Sequence, residues 1–341
     1  MDITVRGAGI VGLSCAWALA ARGARVRVRV IDPGGVASGA SGGVVGALAP
    51  HVPERWNGVK ALQFAGLVAA EGFWAEVEAA SGMPTGYGRT GRVQPLADLE
   101  AVDRARERAK GAAAHWPGFL WEETDAPGAF APPSPTGLWV RDTLSARLLP
   151  GPACRALAEA LRRRRVEVVS DGQERGAVVH ATGWRGLADL SGLRGRAVGV
   201  PIKGQAAVLK HDAGDAPQVF AGGLHVVPHA DGTVAVGSTT EREFEHEDID
   251  AGVEDVIARA RAAMPQLREA PVLARWAGLR PRSRSRAPMV GAWPGRPGHF
   301  VANGGFKIGF GVAPEMARLM ADLVLEGRDA VPEGCRVEDA L

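Results

Sequence analysis

The chain has 341 residues, 46% of them hydrophobic, which suits a soluble globular protein with one large or two ordinary domains. Its 40 lysine and arginine residues almost balance 38 acids, giving a net charge of +2, so composition points to neither nucleic acid nor an acidic substrate. Cys15, Cys154 and Cys335 are widely spaced and form no C-x-x-C pair, which fits idle thiols in a reducing cytosol better than a disulfide frame or a zinc site.

Asp2 to Arg6 reads as a short strand. Gly7-Ala8-Gly9-Ile10-Val11-Gly12 follows at once, and Leu13 to Ala21 continues as an Ala-rich apolar helix. A second strand, Ala24 to Ile31, ends in Asp32, 20 positions after Gly12, where a Rossmann unit carries its ribose-binding acid. The glycines have separate tasks: Gly7 makes the turn, Gly9 lets backbone reach a pyrophosphate, and Gly12 lets helix and strand pack closely. The helix N-terminus offers free N–H groups and a positive dipole end to the phosphates. Asp32 suits a free ribose hydroxyl and argues against a 2′-phosphate.

The apolar run Ile10 to Ala21 lacks the basic leader of a signal peptide, and no other run is long enough to span a bilayer. The expectation is a cytoplasmic protein without membrane contact. Small residues from Ala37 to Gly43, including Ser38, Ser41, Gly42 and Gly43, read as backbone lying against a flat or phosphorylated ligand. Ala61 to Ala80 and the more polar Leu99 to His115 have helical periodicity, while Pro117 to Pro135 reads as irregular. Pro150 to Arg165 is a helix with Pro152 in its first turn, followed by a strand at Val166 to Val169. Val178 to Gly183 is a strand ending in a small turn at Thr182-Gly183.

From Pro201 onward the pattern alternates. Ala206 to Lys210, Leu224 to Pro228 and Thr233 to Gly237 read as antiparallel strands, the last two joined at Asp231-Gly232. Glu241 to Asp250, with His246, reads as a solvated acidic loop, since its spacing matches no common metal motif. Ile249 to Met264 is a helix, Val272 to Ala277 and Phe300 to Ala302 are strands, and Ala313 to Leu325 is the closing helix. The expected fold is α/β: a Rossmann-like nucleotide domain on a parallel sheet, with an inserted α+β substrate domain on an antiparallel sheet. The division expected is 1–50, 141–197 and 288–341 for the first, 51–140 and 198–287 for the second.

Taken in order, Gly7 to Ser14, Ala37 to Pro50, Val178 to Gly183, Pro201 to Gln205, Val234 to Thr239, Trp276 to Pro281 and Asn303 to Pro314 resemble the FAD-dependent D-amino-acid oxidase superfamily, in its glycine oxidase and sarcosine oxidase branch. The resemblance covers nearly the whole chain. It implies FAD, held without a covalent link because the branch's flavin cysteine is absent from 303–314. It also implies oxidation of a carbon next to nitrogen in a small amino acid or amine, with electrons passed to oxygen or another acceptor. The turn Gly304-Gly305-Phe306-Lys307-Ile308-Gly309-Phe310-Gly311 then lies against the flavin, where a helix N-terminus would favour the charge of the reduced ring.

In that setting Arg280 is the residue expected to hold a substrate carboxylate through its planar fork. Lys307 is a second cation candidate, by likeness to a carboxylate-contacting lysine of the sarcosine oxidase branch. Many relatives have a tyrosine where this chain has His225, so either His225 or the sole tyrosine, Tyr87, is expected to line the pocket. The segment between Arg165 and Val178 is short for the family, which bears on the adenine pocket. Hydride would leave a neutral amine for flavin N5, and the imine would hydrolyse. Two other readings stay open. One is an oxidase of a modified tRNA base, suggested by Gly39 to Leu48 and Ala287 to Gly291, in which Arg280 to Arg286 would touch phosphate. The other is a flavoprotein subunit that needs a partner or has no catalysis of its own. Oligomeric state is not readable.

Overall fold

The computed structural model describes residues 1–23 and 25–341. Two sheets dominate. The first has six strands in the order Met289–Ala292, His299–Asn303, Ala177–His180, Asp2–Arg6, Arg27–Ile31 and Glu167–Val169. All neighbours are parallel except the Met289–Ala292 edge, which runs antiparallel. Ala24, the expected start of the second strand, lies outside the described residues. The central strand Asp2–Arg6 is buried on both faces, with Ile3 and Val5 on one and Thr4 on the other, as a parallel strand covered by helices requires. Helix Ile10–Ala20 packs against Gly309–Glu326 and Pro150–Arg163, and Leu13, Trp17, Met316 and Leu157 meet in one core. Its mean hydropathy is high all round because it is covered on every side.

The second sheet has eight strands in the order Val272–Ser283, Gly199–Lys210, Thr233–Gly237, Leu224–Pro228, Gln218–Ala221, Arg92–Pro95, Trp139–Asp142 and Trp121–Thr124. It is antiparallel apart from the Gln218–Ala221 and Arg92–Pro95 pair. Its hairpin turns at Asp231-Gly232, where the Asp231 carboxylate accepts from Thr233 N at 3.2 Å and Gly232 takes φ +78°. Helix Gly252–Ala263 covers one face through Val256, Ile257 and Ala260. The long helix Gly58–Ser81, capped by Asn57, crosses Gly309–Glu326 where Gly66 meets Gly311.

Several expectations change. Trp121–Thr124 is a strand inside the stretch that reads as irregular: Trp121 is buried against Trp116 and donates to Ala105 O at 3.2 Å, and that tertiary packing overrides the Pro-rich composition. Gly183–Arg194 is a helix where only a turn is legible. Gly199–Lys210 and Val272–Ser283 each run 12 residues, well beyond the expected Ala206 to Lys210 and Val272 to Ala277. Trp139–Asp142, which straddles position 140, belongs to the eight-stranded sheet. The acidic loop is not wholly solvated. Asp250 pairs with Nζ of the fully buried Lys203 and accepts from Gln205 Nε2 at 2.6 Å. No helix among the described residues is long and apolar enough to cross a membrane.

Candidate active site

One cleft of about 1300 Å³ runs from the C-terminal ends of the parallel strands to the face of the eight-stranded sheet. Its nucleotide end is backbone. Gly7 has φ +107°, and a Cβ there would stand 2.4 Å from Ala181 O, so only glycine makes the turn. A Cβ on Gly12 would stand 2.0 Å from Gly7 O; this is the close helix-to-strand approach that the spacing demands. Asp32 Oδ2 accepts from Ala8 N at 2.7 Å and its Oδ1 from Gly34 N at 2.9 Å, which fixes the carboxylate at the end of its strand. Ser41 Oγ accepts from Ile10 N at 3.0 Å and brings the small-residue segment over the turn.

Of the expected cofactor residues, Gly7, Gly9, Ile10, Val11, Asp32, Ser38, Ser41, Gly43, Thr182, Gly183, Gly305, Phe306, Lys307, Ile308, Gly309 and Phe310 line this cleft. Gly12 and Gly42 do not. Gly12 is buried in helix Ile10–Ala20 where it meets the Gly7 turn, and Gly42 lies tight against Ala37 O, so both shape the cleft from behind.

The second glycine turn reaches the same cleft from the other end of the chain. Asn303 ties it down: its Oδ1 accepts from Gly304 N and its Nδ2 donates to Gly183 O, both at 2.8 Å, which joins the two distant turns. Gly304 at φ +76° and Phe306 at φ +40° bend the chain into helix Gly309–Glu326. Neither this helix nor Ile10–Ala20 has an acid in its first turn, so both positive ends stay available to a ligand's negative charge.

The far wall comes from the eight-stranded sheet. Arg280 is 8% exposed and lines the cleft. Its guanidinium lies flat on the neighbouring strand at Gly204, where a Cβ would stand 1.9 Å from Nη1. Nη1 donates to Thr239 O at 3.1 Å and Nη2 to Ser238 Oγ at 2.7 Å. No carboxylate among the described residues is within ion-pair reach. The nearest acidic influence is Glu241, itself turned to Lys203, and burial pulls the Arg280 guanidinium down to about 10. Lys307 Nζ donates to Thr240 Oγ1 at 2.7 Å, and burial, with Arg280 beside it, lowers its ammonium from the ordinary range.

His225 lines the cleft and Tyr87 does not. Tyr87 packs into the main core with its hydroxyl buried, which pushes the phenol up to about 12. Burial, with Arg92 and Lys307 nearby, takes His225 down to about 3, so its ring is neutral. Gln218 Nε2 donates to Ala146 O at 2.9 Å, which turns its Oε1 toward His225 Nδ1 at 3.3 Å. His225 therefore donates from Nδ1 and keeps Nε2 as an acceptor.

Arg92 is the residue that sequence reasoning misses. It is 6% exposed, lines the cleft and donates through Nε to Asp142 Oδ2 at 2.8 Å. Its strand is placed by Gln218–Ala221 on one side and Trp139–Asp142 on the other, and no local signal carries that pairing. None of the three cysteines lines the cleft, and all are buried thiols. Among the described residues no group of His, Cys, Asp and Glu is arranged to hold a metal ion.

A parallel sheet whose first turn, second turn and small-residue segment all face one elongated cleft defines a flavin-dependent oxidoreductase of the two-sheet kind. Residues 2–323 match the DAO family, FAD dependent oxidoreductase, and the chain belongs to it; FAD is its cofactor. The cleft fits that group: the glycine turns leave room no Cβ could share, and the Thr182 hydroxyl is buried there without a protein partner among the described residues.

Over 134 residues the chain is 37% identical to the glycine oxidase of Pseudomonas aeruginosa, a stretch covering 39% of this chain and 36% of that protein. Over 352 residues it is 26% identical to the glycine oxidase of Bacillus licheniformis, covering 95% and 93%. It shares its fold with the crystal structure of glycine oxidase from Geobacillus kaustophilus, with TM-score 0.83, 22% identity and coverage of 97% and 96%. Iminodiacetate oxidase from Chelativorans superposes with TM-score 0.81 at 22% identity, covering 97% of each chain.

Proposed function

We propose that this oxidoreductase oxidises the C–N bond of a small amino acid or secondary amine whose carboxylate is held by Arg280. The observation that carries the reading is Arg280 itself, a guanidinium buried in the cleft wall with two N–H groups committed to neutral acceptors and no acid in ion-pair reach among the described residues. A buried cation left in that state costs on the order of several kcal/mol until an anion arrives, and a planar carboxylate matches its fork. The similar glycine oxidases and iminodiacetate oxidase are named for substrates that share one feature, a carboxylate one carbon from an amine.

Gly7, Gly9, Asp32, Ser38, Ser41, Thr182 and Gly183 would hold the nucleotide half of FAD, and Gly305 to Phe310 would meet its ring. Bound FAD supplies the acceptor, at N5, for the hydride that leaves the substrate carbon. The chain's own residues set the substrate's state. With Arg280 and Lys307 positive, the far wall disfavours an ammonium and favours the neutral amine, the form that can release hydride. His225 offers Nε2 to an amine N–H without adding charge. Loss of hydride from the neutral amine leaves an iminium cation, which adds water and breaks down to the carbonyl product and the released amine, and the electrons pass on to oxygen or another acceptor.

The same reading assigns residues 1–50, 141–197 and 288–341 to FAD and 51–140 and 198–287 to substrate. The basic run Arg280 to Arg286 is divided between two sites: Arg280 faces the cleft, while Arg282, Arg284 and Arg286 line a separate groove. That division gives no support to a modified tRNA base as substrate. The test is to purify the yellow protein and add glycine, sarcosine, D-amino acids and N-methylated amino acids without oxygen. Bleaching of the flavin by one of these classes is expected. If none bleaches it, the amine-oxidation reading fails.

A further inference from the structure

Outside the flavin cleft, a groove of about 540 Å³ is lined by Arg196, Arg242, Arg282, Arg284 and Arg286. These side chains arrive from three separated segments. Arg196 follows helix Gly183–Arg194, Arg242 follows the Glu241 backbone that pairs with Lys203, and the other three close the strand Val272–Ser283. Hydrogen bonds fix the frame. Arg284 N donates to Val198 O at 2.7 Å, Arg286 N to Ser283 O at 3.1 Å, and Ser283 Oγ to Ala287 O at 2.6 Å. Arg286 is held at φ +63° by this turn.

None of the five guanidiniums has a carboxylate within ion-pair distance or a side-chain hydrogen bond among the described residues. Arginines elsewhere on the surface such as Arg22, Arg106 and Arg318 do pair with acids. Burial first, and then the neighbouring cations Arg286 and Arg242, hold the Arg282 guanidinium below its ordinary range. Five like charges gathered on a fixed frame repel one another, and the repulsion is relieved by a ligand that brings several negative charges at once. Planar forks with parallel N–H groups match phosphate oxygens. One phosphate would leave most of these donors unused. Among the described residues no aromatic side chain lines the groove, so it lacks the stacking platform of a single-stranded nucleic-acid site.

The geometry points to this groove as a binding site for a small ligand carrying a pyrophosphate group, either inorganic pyrophosphate or a nucleoside diphosphate. The Arg282 guanidinium stands 5.9 Å from the centre of the Phe306 ring, and Phe306 lines the flavin cleft. A ligand bound here is therefore one aromatic ring away from the cofactor.

The test is calorimetric titration of the FAD-saturated protein, so that the cofactor's own pyrophosphate site is filled, with pyrophosphate, ADP and adenosine at low ionic strength. Pyrophosphate and ADP are expected to bind one to one, and adenosine to give no heat. Tighter binding of ADP than of pyrophosphate would identify a nucleotide as the source, and equal binding the pyrophosphate group alone. Arg284→Ala and Arg286→Ala should each weaken binding about tenfold or more, the scale of a lost charge-assisted hydrogen bond, with flavin absorbance as in the parent. Arg141→Ala, which removes an exposed cation on strand Trp139–Asp142, next to the edge of the eight-stranded sheet, should change nothing. The assignment is overturned if neither phosphate compound gives heat, if Arg141→Ala weakens binding as much as the groove variants do, or if a short RNA binds more tightly than either compound.

Discussion

The nucleotide end of the cleft is mostly backbone packed on backbone, drawn from the stretch between Gly7 and Ser41 and from the Ala181 to Gly183 turn. The far wall, proposed to meet substrate, is side chains: Arg280, Lys307, His225 and Arg92 come from four strands or turns spread over more than half of the chain. At the first end, fit is decided by atoms that cannot move, and a single added carbon meets a carbonyl. At the second, fit is decided by charge and hydrogen bonding on side chains that can shift. Damage to the first should be all or none, and damage to the second graded.

Gly12→Val puts that contrast to its hardest trial. Its Cβ has no space beside Gly7 O, so the variant should emerge without flavin or fail to fold; flavin-to-protein absorbance after purification measures this. Normal flavin content would show that the strand and helix can part, against the account of a rigid nucleotide end. Gly204→Ala should do something different. It displaces the Arg280 guanidinium while leaving the nucleotide end alone, so flavin content should hold and KM for the amino acid should rise by about tenfold or more, with a smaller change in kcat. An unchanged KM would mean that Arg280 does not use its seat on Gly204 to meet substrate.

Acid stability comes next in size. His225, taken down to about 3 by burial, and His180, taken down to about 4 by burial and His299, are neutral in the folded protein, whereas an unfolded histidine titrates near its ordinary value of 6.5. The unfolded chain therefore binds more protons below that value. Stability is full above it and is lost as pH falls toward 4 and 3, with His225 alone accounting for about 2 kcal/mol by about pH 5. Urea midpoints at neutral and mildly acidic pH should differ less in His225→Gln than in the parent. Lys307→Met should have the smallest effect, a rise in KM of several-fold at most, because Lys307 contributes position-tolerant charge rather than a fixed fork. A loss as large as that from Gly204→Ala would move the main carboxylate contact to Lys307.

The same contrast explains what could be read from the chain before folding. Gly7, Gly9, Asp32 and Ser41 are brought together by spacing along one short stretch, so their place in the cleft is visible in one dimension. Gly12 belongs to that pattern too, but behind the cleft. Arg280 is visible through the motif around it, yet its seat on Gly204 depends on the pairing of Val272–Ser283 with Gly199–Lys210. That pairing is obscured because Pro201 and Gly204 read as breakers, although the register sets Pro201 against Pro281 and Gly204 against Gly278. Arg92 has no local signal at all. Its strand is defined by Gln218 and Asp142, both remote in sequence, and Tyr87 looks eligible for the pocket only until packing buries it.

The most direct measurement compares glycine with methylamine, and sarcosine with dimethylamine, as anaerobic reductants of the parent and of Arg280→Met. Removing the substrate carboxylate and removing the arginine should be the same loss counted once. The parent is predicted to favour the carboxylated partner by about a hundredfold or more, and Arg280→Met to lose most of that preference while keeping its flavin. A preference that survives intact in Arg280→Met would contradict the assignment of the carboxylate to Arg280.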